Sequence, residues 1–404
     1  MMSGSINQKN TFAYPADKGG KENRMIKKAF RWLKKEPMLL LSLLAAVAGL
    51  IITPPSSALL TAIDWRTLGI LLMMLCVLEG FKQENVLMPV VSLAGRLKSM
   101  AGVSLFLVFG VFFSSMFVTN DVSLLIFVPL TILLFRNGGK EKYILPVISM
   151  ENIAAIRGSL LTPFGSPQNL FLYGQSSISV WKFMLHMLPL CVMSAALLIV
   201  FIFFLYRKNV KEPFRSEKEE LSASNRGFRS WMYLGLFVLV LVVIVSRTAW
   251  WPAALLVVLV GIAVFDRKLF LKVDYVLILT FLCFFVFSSS IARNSVIAGF
   301  LEKNVADREY WWAIGLSQLI SNVPASIVLY PFTENFAGLI YGADTAGLCS
   351  LIGSLASVIN YRIYVREYPG KGKEFTKTFM LVSWAFFLIV VIPGFLLSRW
   401  YFFS

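Results

Sequence analysis

The chain has 404 residues, of which 57% are hydrophobic and 15% charged, and its formal net charge is +16. Several apolar runs are longer than a helix of a soluble protein needs, so the composition indicates a polytopic membrane protein and excludes a soluble globular domain. The basic excess fits the lysines and arginines that membrane proteins keep on the cytoplasmic side, and nucleic acid is not an expected partner.

Cysteine and histidine usage excludes several kinds of site. The four cysteines lie in apolar segments without CxxC spacing, and His186 is the only histidine. A disulfide framework, a histidine-based metal site and a catalytic triad are therefore not expected. The sequence also lacks HExxH and GxSxG motifs. No enzyme activity is predicted, and no cofactor other than bound sodium ions.

The chain opens with a polar, basic segment, residues 1–37, predicted to be a cytoplasmic tail. Its last part, residues 26–36, is either a basic amphipathic helix on anionic lipid or an ordinary flank. Two predicted spans follow, at 38–52 and 68–81. The less apolar stretch at 86–99 predicts an interfacial helix.

Residues 101–135 form the first predicted hairpin, around the polar run SSMFVTNDVS at 114–123. Its apolar arms have about 14 to 17 residues, fewer than the roughly 20 that a spanning helix needs. This favours a re-entrant hairpin whose tip lies inside the bilayer, where polar groups must line a cavity or bind something. Two ordinary spans joined by a surface turn are the alternative.

The next segment, residues 143–175, is predicted to cross as a broken helix. Its middle, GSLLTPFGSPQN at 158–169, holds two prolines and two glycines, which favour unwinding. A span at 180–206 completes the first half, and a polar cytoplasmic linker at 207–229 separates it from the second. The second half, 230–404, has predicted spans at 231–245, 251–265, 275–291 and 379–397, a hairpin at 310–340 and a broken helix at 346–364.

The two halves carry matching motifs. SQLISNVP at 317–324 repeats the pattern of SMFVTNDV at 115–122, and Gly353-Ser354 repeats Gly165-Ser166. Asp64 and Asp274 each open a span that precedes a hairpin. Two matching interrupted segments in corresponding halves indicate the binding site of a transporter.

Charge predicts the topology. With a cytoplasmic N-terminus, most of the 38 lysines and arginines lie in segments on the inner side. The C-terminus is then outside. An odd number of predicted crossings separates Asp64 from Asp274. The halves 38–206 and 230–404 are therefore predicted to form an inverted repeat whose hairpin tips and broken helices meet near the midplane.

The converging elements offer hydroxyls, amides, unwound carbonyls and helix N-termini. Helix N-termini suit an anion, and hydroxyl and carbonyl oxygens suit sodium. The candidate substrate ligands are Thr119, Asn120, Asp121, Arg157, Thr162, Gly165, Ser166, Gln168, Asn169, Ser321, Asn322, Gly353, Ser354 and Asn360. The candidate sodium ligands are Ser115, Thr119, Asn120, Asp121, Gly165, Ser317, Ser321 and Asn322.

The sequence leaves alternative roles open for three sets of candidate residues. Asp121 holds sodium, carries a proton, balances Arg157, or only caps a helix. Arg157, inside a span, requires a partner, and Glu151, Asp121 and the substrate are the options. Ser115 and Ser317 are either ligands or small residues that allow close helix packing.

The runs TNDVSLLIFVPL at 119–130, LTPFGSPQNLFLYGQ at 161–175 and SQLISNVPASIVL at 317–329 resemble the ion transporter superfamily. That group holds divalent anion–sodium symporters, citrate carriers, arsenite permeases and one class of sodium–proton antiporters. The resemblance covers roughly residues 38–400. It implies an all-α elevator-type carrier, commonly a homodimer, in the cytoplasmic membrane. It also implies that the tips at 119–120 and 321–322 bind sodium and a substrate carboxylate.

The third tip residue departs from the symporters, which use Thr there. It is Asp121 in one half and Val323 in the other, which favours the branches similar to citrate carriers and arsenite permeases. The predicted function is secondary transport of a small anion, driven by sodium or protons. A sodium–proton antiporter, an arsenite permease and a channel are the alternatives.

Overall fold

The computed structural model of this protein describes residues 36–54, 59, 61, 63–86, 97, 99–207, 227–247 and 249–400. The regular secondary structure of these residues is helical. The helices are α1 Pro37–Ile52, α2 Trp65–Gln83, α3 Met100–Val118, α4 Asn120–Asn137, α5 Ile144–Ser159, α6 Pro167–Gln175, α7 Val180–Leu205, α8 Phe228–Ser246, α9 Trp251–Asp266, α10 Tyr275–Ala292, α11 Ser295–Val305, α12 Glu309–Ile320, α13 Asn322–Leu329, α14 Phe336–Ala346, α15 Leu355–Glu367 and α16 Gly372–Ser398. The predictions for the N-terminal tail, and most of those for the interfacial helix and the linker, concern residues outside this set.

Helix length and composition confirm an all-α polytopic membrane protein. Within the described ranges, six helices are long and apolar enough to cross a membrane, namely α3, α4, α7, α8, α10 and α16. Each predicted span coincides with a helix, and most observed helices extend a few residues further. The last one, α16, begins at Gly372 rather than at residue 379.

Both arms of the first hairpin are longer than the sequence predicts. They have 19 residues in α3 and 18 in α4, so each reaches the length of a candidate span. The helix continues through the polar run, where the hydroxyls of Ser114 and Ser115 are satisfied by donating to carbonyl oxygens three residues earlier, at 3.2 and 2.9 Å. One residue, Thr119, separates the arms. The depth of this tip in the bilayer stays a prediction.

The predicted bounds of the second hairpin, 310–340, and of the second broken helix, 346–364, were wrong. The hairpin consists of α12 and α13 and ends near Leu329, where a 3-10 turn at Tyr330–Phe332 follows. Pro331 has no amide donor to continue a helix, and Thr333, the residue after the turn, is extended. Asn335 then caps a new helix through Gly338 N at 2.9 Å. The second broken helix is therefore α14 plus α15.

Contacts divide most of the helices into two groups. We call α3–α7 with α12–α16 the hairpin group, and α1, α2 and α8–α10 the peripheral group. The groups meet mainly where α10 packs on α13 and α2 on α6. Inside the hairpin group each hairpin lies close to a broken helix: a Cβ on Gly158 would overlap the Phe112 carbonyl, and a Cβ on Gly342 would overlap the Tyr310 carbonyl.

Candidate functional site

Each hairpin tip contains one residue in a strained backbone conformation. Thr119 has φ 71° and ψ 155°, and Ser321 has φ 69° and ψ 160°, a region that glycine alone adopts readily. Strain of this kind costs about 1–3 kcal/mol and is concentrated at functional sites. Its occurrence at the same point of both halves marks the tips as the functional candidates.

Each tip is hydrogen bonded to the break of one broken helix. The backbone amide of Asn120 donates to the carbonyl of Gly165 at 3.1 Å, and that of Asn322 donates to the carbonyl of Gly353 at 3.2 Å. These are the residues that the sequence motifs pair. The structure therefore brings tip and break together in both halves.

Two further contacts connect the arm before each tip to the same break. In the first half the Thr162 hydroxyl donates to the Met116 carbonyl. In the second half the Ser350 hydroxyl donates to the side-chain oxygen of Gln318 at 2.7 Å. The positions correspond, although one acceptor is backbone and the other is a side chain.

The breaks are also bridged internally. The side-chain amide nitrogen of Asn169 donates to the Ser159 carbonyl at 3.2 Å across the first break. The Ser357 hydroxyl donates to the Gly347 carbonyl at 3.4 Å across the second break. Side chains from the following helix thus hold the unwound carbonyls in place, as buried backbone requires.

Four helix N-termini begin at the tips and breaks, those of α4, α6, α13 and α15. The Ser166 hydroxyl caps α6 by accepting from the backbone amide of Asn169 at 3.4 Å. The Ser354 side chain makes no such bond to α15. Gln168, in the first turn of α6, is buried. Free N–H groups and the helix dipole make such N-termini favourable neighbours for an anion.

One cavity of about 370 Å³ reaches both tips. Asp121 from the first tip and Ser321 and Val323 from the second line it, together with Ile352 and Leu355 around the second break. Among the predicted site residues, Asp121 and Ser321 line this cavity.

The cavity wall is largely apolar, and its charged residues are Glu36, Asp121, Asp274 and Arg362. One carboxyl oxygen of Asp121, Oδ1, is buried without a hydrogen-bond partner. Three carboxylates against one guanidinium favour a cation in this cavity, and an anion is favoured only beside Arg362 and the helix N-termini.

Arg157 does not line the cavity. It is fully buried, its guanidinium pairs with Asp344, and it donates to the Thr345 hydroxyl at 3.3 Å. The partner is thus none of the three that the sequence suggests. Asp344 was missed, although an isolated Asp in the apolar run GLIYGADTAG is the same kind of signal as an isolated Arg.

Three other candidates already have partners elsewhere. Ser115 and Ser317 are fully buried, and their hydroxyls donate to carbonyls of their own helices, those of Phe112 and Ala313. Close packing accounts for both residues, and a sodium role stays a prediction. Asn360 bonds to α5, at the Ile148 carbonyl, at 2.7 Å. Nowhere in the described part of the chain do three or more His, Cys, Asp or Glu side chains form a metal site.

At the other end of the interface, polar residues connect the two groups. The Asp64 carboxylate caps α2 through Thr67 N at 2.9 Å and accepts from the Gln175 amide at 2.6 Å. The Tyr330 hydroxyl donates to the Gln175 side-chain oxygen at 3.0 Å. Peripheral helix α2, α6 and the turn after the second hairpin are joined in this way.

Arg247 strengthens this connection. It ends α8 in the left-handed conformation, with φ 51°, and donates to the Tyr173 carbonyl at 2.9 Å and to the Ser176 carbonyl. Its guanidinium carbon lies 4.1 Å from the centroid of the Tyr173 ring. We call Asp64, Gln175, Tyr330 and Arg247 the latch. The sequence had not indicated it.

Comparisons with known proteins agree with this fold. The family model described as Citrate transporter matches residues 29–338. The inner membrane protein YbiR of Escherichia coli is 31% identical over 313 residues, covering 75% of this chain and 80% of that protein. An uncharacterized transporter of Methanocaldococcus jannaschii, MJ0456, is 29% identical over 303 residues, covering 74% of this chain and 81% of that protein.

A solved structure supports the fold. The YdaH transporter of Alcanivorax borkumensis, reported to have an unusual topology, superposes with a TM-score of 0.54 at 15% identity, covering 91% of this chain and 97% of that one. The apolar helices and these relatives show that the protein is an integral membrane transporter of the citrate and anion carrier type. The chain belongs to the citrate transporter family.

Proposed function

We propose that this protein is a secondary active transporter that moves a small anion, a carboxylate or an inorganic oxyanion, across the cytoplasmic membrane. Sodium or protons drive the transport. The observation that carries the proposal is the shared cavity: both tips line it while each stays bonded to its own break. A substrate in this cavity touches both halves of the chain.

The two helix groups support an elevator movement. Hairpins and broken helices pack closely within the hairpin group, and the contact with the peripheral group is made mainly by α10 with α13, α2 with α6 and the latch. In our proposal the hairpin group slides as one body against the peripheral group. The resemblance to elevator carriers also suggests a homodimer.

The orientation follows from charge. Glu36, Asp274 and Arg362 lie at the cavity mouth, on the side predicted to be cytoplasmic. We infer that the N-terminus is inside, the C-terminus outside and the halves inverted, so that the described conformation faces inward. The latch then lies on the outer side.

Substrate and coupling ion meet different parts of the cavity. Arg362 and the N-termini of α13 and α15 are the positive groups, and they attract the anion. Asp121, with its unpartnered oxygen, is the group suited to a sodium ion or a proton.

A sodium–proton antiporter is the second candidate. The acidic lining of the cavity favours it, because Glu36, Asp121 and Asp274 outnumber Arg362. In that case Asp121 exchanges sodium for protons and no anion is carried.

Purified protein in liposomes tests these candidates. Labelled citrate, succinate, sulfate, phosphate and arsenite are each offered with an inward sodium gradient, a proton gradient or neither, and counterflow is measured. Saturable counterflow of one anion, lost in Ser321→Ala and kept in Ser194→Ala, a buried hydroxyl away from the cavity, supports the proposal. Sodium-driven proton movement without anion uptake supports the antiporter, and unsaturable conductance contradicts both.

A further inference from the structure

A second polar cluster lies inside the hairpin group, away from the cavity wall. It is formed where α4, α5 and α15 pack on one another. Its side chains are all fully buried, and they are Thr131, Glu151, Asn152, Ser357 and Asn360. Polar groups at such depth are costly unless they bind one another or a ligand.

Glu151 carries the only acidic side chain of this cluster. One carboxyl oxygen accepts from the Thr131 hydroxyl, and the other, Oε2, is buried without a partner. The arginines of α4 and α5 are engaged elsewhere, since Arg157 pairs with Asp344 and Arg136 with Glu367. No ion pair with Glu151 forms among the described residues.

The hydrogen bonds determine how both amides are oriented. Asn360 donates to the Ile148 carbonyl at 2.7 Å, so its nitrogen points there. The Ser357 hydroxyl donates to the Gly347 carbonyl, so it accepts at 3.0 Å from the Asn152 nitrogen. Both amide oxygens then point away from these partners, and both are buried without a donor.

The three free oxygens are carried by residues in the region where α4, α5 and α15 pack on one another. In a helix the carbonyl of residue 148 also accepts from the amide of residue 152, so the Asn360 side chain lies beside the turn that carries Asn152. Glu151 is the adjacent residue and faces α4, and α4 packs against α15. The oxygens are Glu151 Oε2, Asn152 Oδ1 and Asn360 Oδ1.

An excess of acceptors with a single negative charge indicates the ligand. An anion finds no donor there, and a divalent cation leaves a net positive charge in a low-dielectric interior. A monovalent cation neutralises the carboxylate, and carboxylate, amide and hydroxyl oxygens suit a small hard ion. We propose that Glu151, Asn152 and Asn360 bind a sodium ion, separately from the hairpin tips.

The site is connected to the transport machinery through Ser357, which bridges Asn152 to Gly347 in the second break. Sodium bound here therefore orders the break that holds the second tip. Only this coupling role rests on the proposed function, because sodium binding itself is measurable without transport.

Direct binding of ²²Na⁺ to purified protein in detergent, at a fixed pH with choline replacing sodium, tests the proposal. We expect Glu151→Gln, and independently Asn152→Ala, to weaken one class of sodium sites by about tenfold or more, because the charge or an oxygen is lost. Asp121→Asn retains that class, and so does Ser194→Ala, a buried hydroxyl on α7 outside the cluster. Thermal unfolding without sodium checks that each variant is folded.

Two results overturn the site. One is unchanged sodium binding in both cluster variants. The other is a combination of two findings: the wild-type protein binds no sodium at any pH, and Glu151→Gln changes the pH dependence of unfolding. Glu151 would then bind only a proton. Sodium binding that depends on the cluster in a protein without anion transport refutes the proposed function and leaves the site standing.

Discussion

Arg157 of α5 and Asp344 of α14 form a fully buried ion pair between the two halves of the chain. Each residue lies on the segment of a broken helix that precedes its break. Arg157 also donates to Thr345, next to its acid partner. The pair therefore joins the two halves inside the hairpin group rather than facing the cavity.

We expect Arg157→Leu and Asp344→Leu each to lower the free energy of unfolding by roughly 3–5 kcal/mol, because each leaves a buried charge without a partner. The double variant should regain most of that loss. Thermal unfolding in detergent measures this, with Arg136→Leu as a control, since its pair with Glu367 is exposed and contributes about 1 kcal/mol or less. A double variant as unstable as the worse single one would contradict the pairing.

We expect Arg157→Leu to abolish transport, and uptake by a folded double variant shows whether substrate transport requires the arginine.

Close packing of hairpin on broken helix makes two glycines sensitive. Gly158→Ala and Gly342→Ala should each destabilise the protein by about 1–3 kcal/mol, because the new methyl group meets backbone that cannot move away. Gly235→Ala is the matched control: no atom lies within 4 Å of its added Cβ, and alanine favours the helix by about 0.5–1 kcal/mol. Equal effects at all three positions would mean that helix propensity, not packing, decides the result.

The latch should influence which conformation is populated. Arg247→Ala removes charge-assisted hydrogen bonds of about 1.5–3 kcal/mol each between the two helix groups. We expect a cysteine replacing Ile352, which is exposed in the cavity, to react severalfold more slowly with an aqueous thiol reagent when Arg247 is absent. The experiment uses a background without the four native cysteines.

Arg229→Ala, at the other end of α8, serves as the control for the latch, since Arg229 is half-exposed and its nearest acid, Asp266, is 4.0 Å away. Identical labelling rates in the Arg247 and Arg229 variants would show that the latch does not select the conformation.

Asp121 at the first hairpin tip and Ser321 at the second differ in chemistry. Asp121→Asn should alter the dependence of uptake on sodium and pH more than substrate affinity, because it removes the charge of the unpartnered carboxylate. Ser321→Ala should weaken substrate and ion binding together. Uptake against sodium concentration at two pH values measures both. Unaltered coupling in Asp121→Asn would reduce Asp121 to a helix-capping residue.

The sequence predicts the tips and breaks well because their signal is local. Polar residues, glycine and proline interrupt apolar runs, and the same interruption recurs in the second half. Arm lengths were not predictable in this way, because Ser114 and Ser115 look like a helix end in sequence yet bond to their own helix. The end of the second hairpin depended on Pro331 and Thr333, whose effect an apolar run hides.

Partners distant in sequence were the other failure. Arg157 and Asp344 are 187 residues apart, and only the fold shows that they meet. Arg247 donates mainly to backbone carbonyls, which any residue supplies. The identity of the neighbouring side chains therefore does not predict the latch from the sequence. A single Arg or Asp in an apolar run signals that a partner exists but not which residue it is.

The bonds that hold the tips join backbone to backbone, from Asn120 to Gly165 and from Asn322 to Gly353. Replacing a side chain beside a tip leaves the donor and the acceptor in place. The adjacent positions are consequently free to diverge, as Asp121 and Val323 have done. Point mutations beside a tip can then change which solute a carrier of this architecture binds, while the backbone bonds between tips and breaks stay in place.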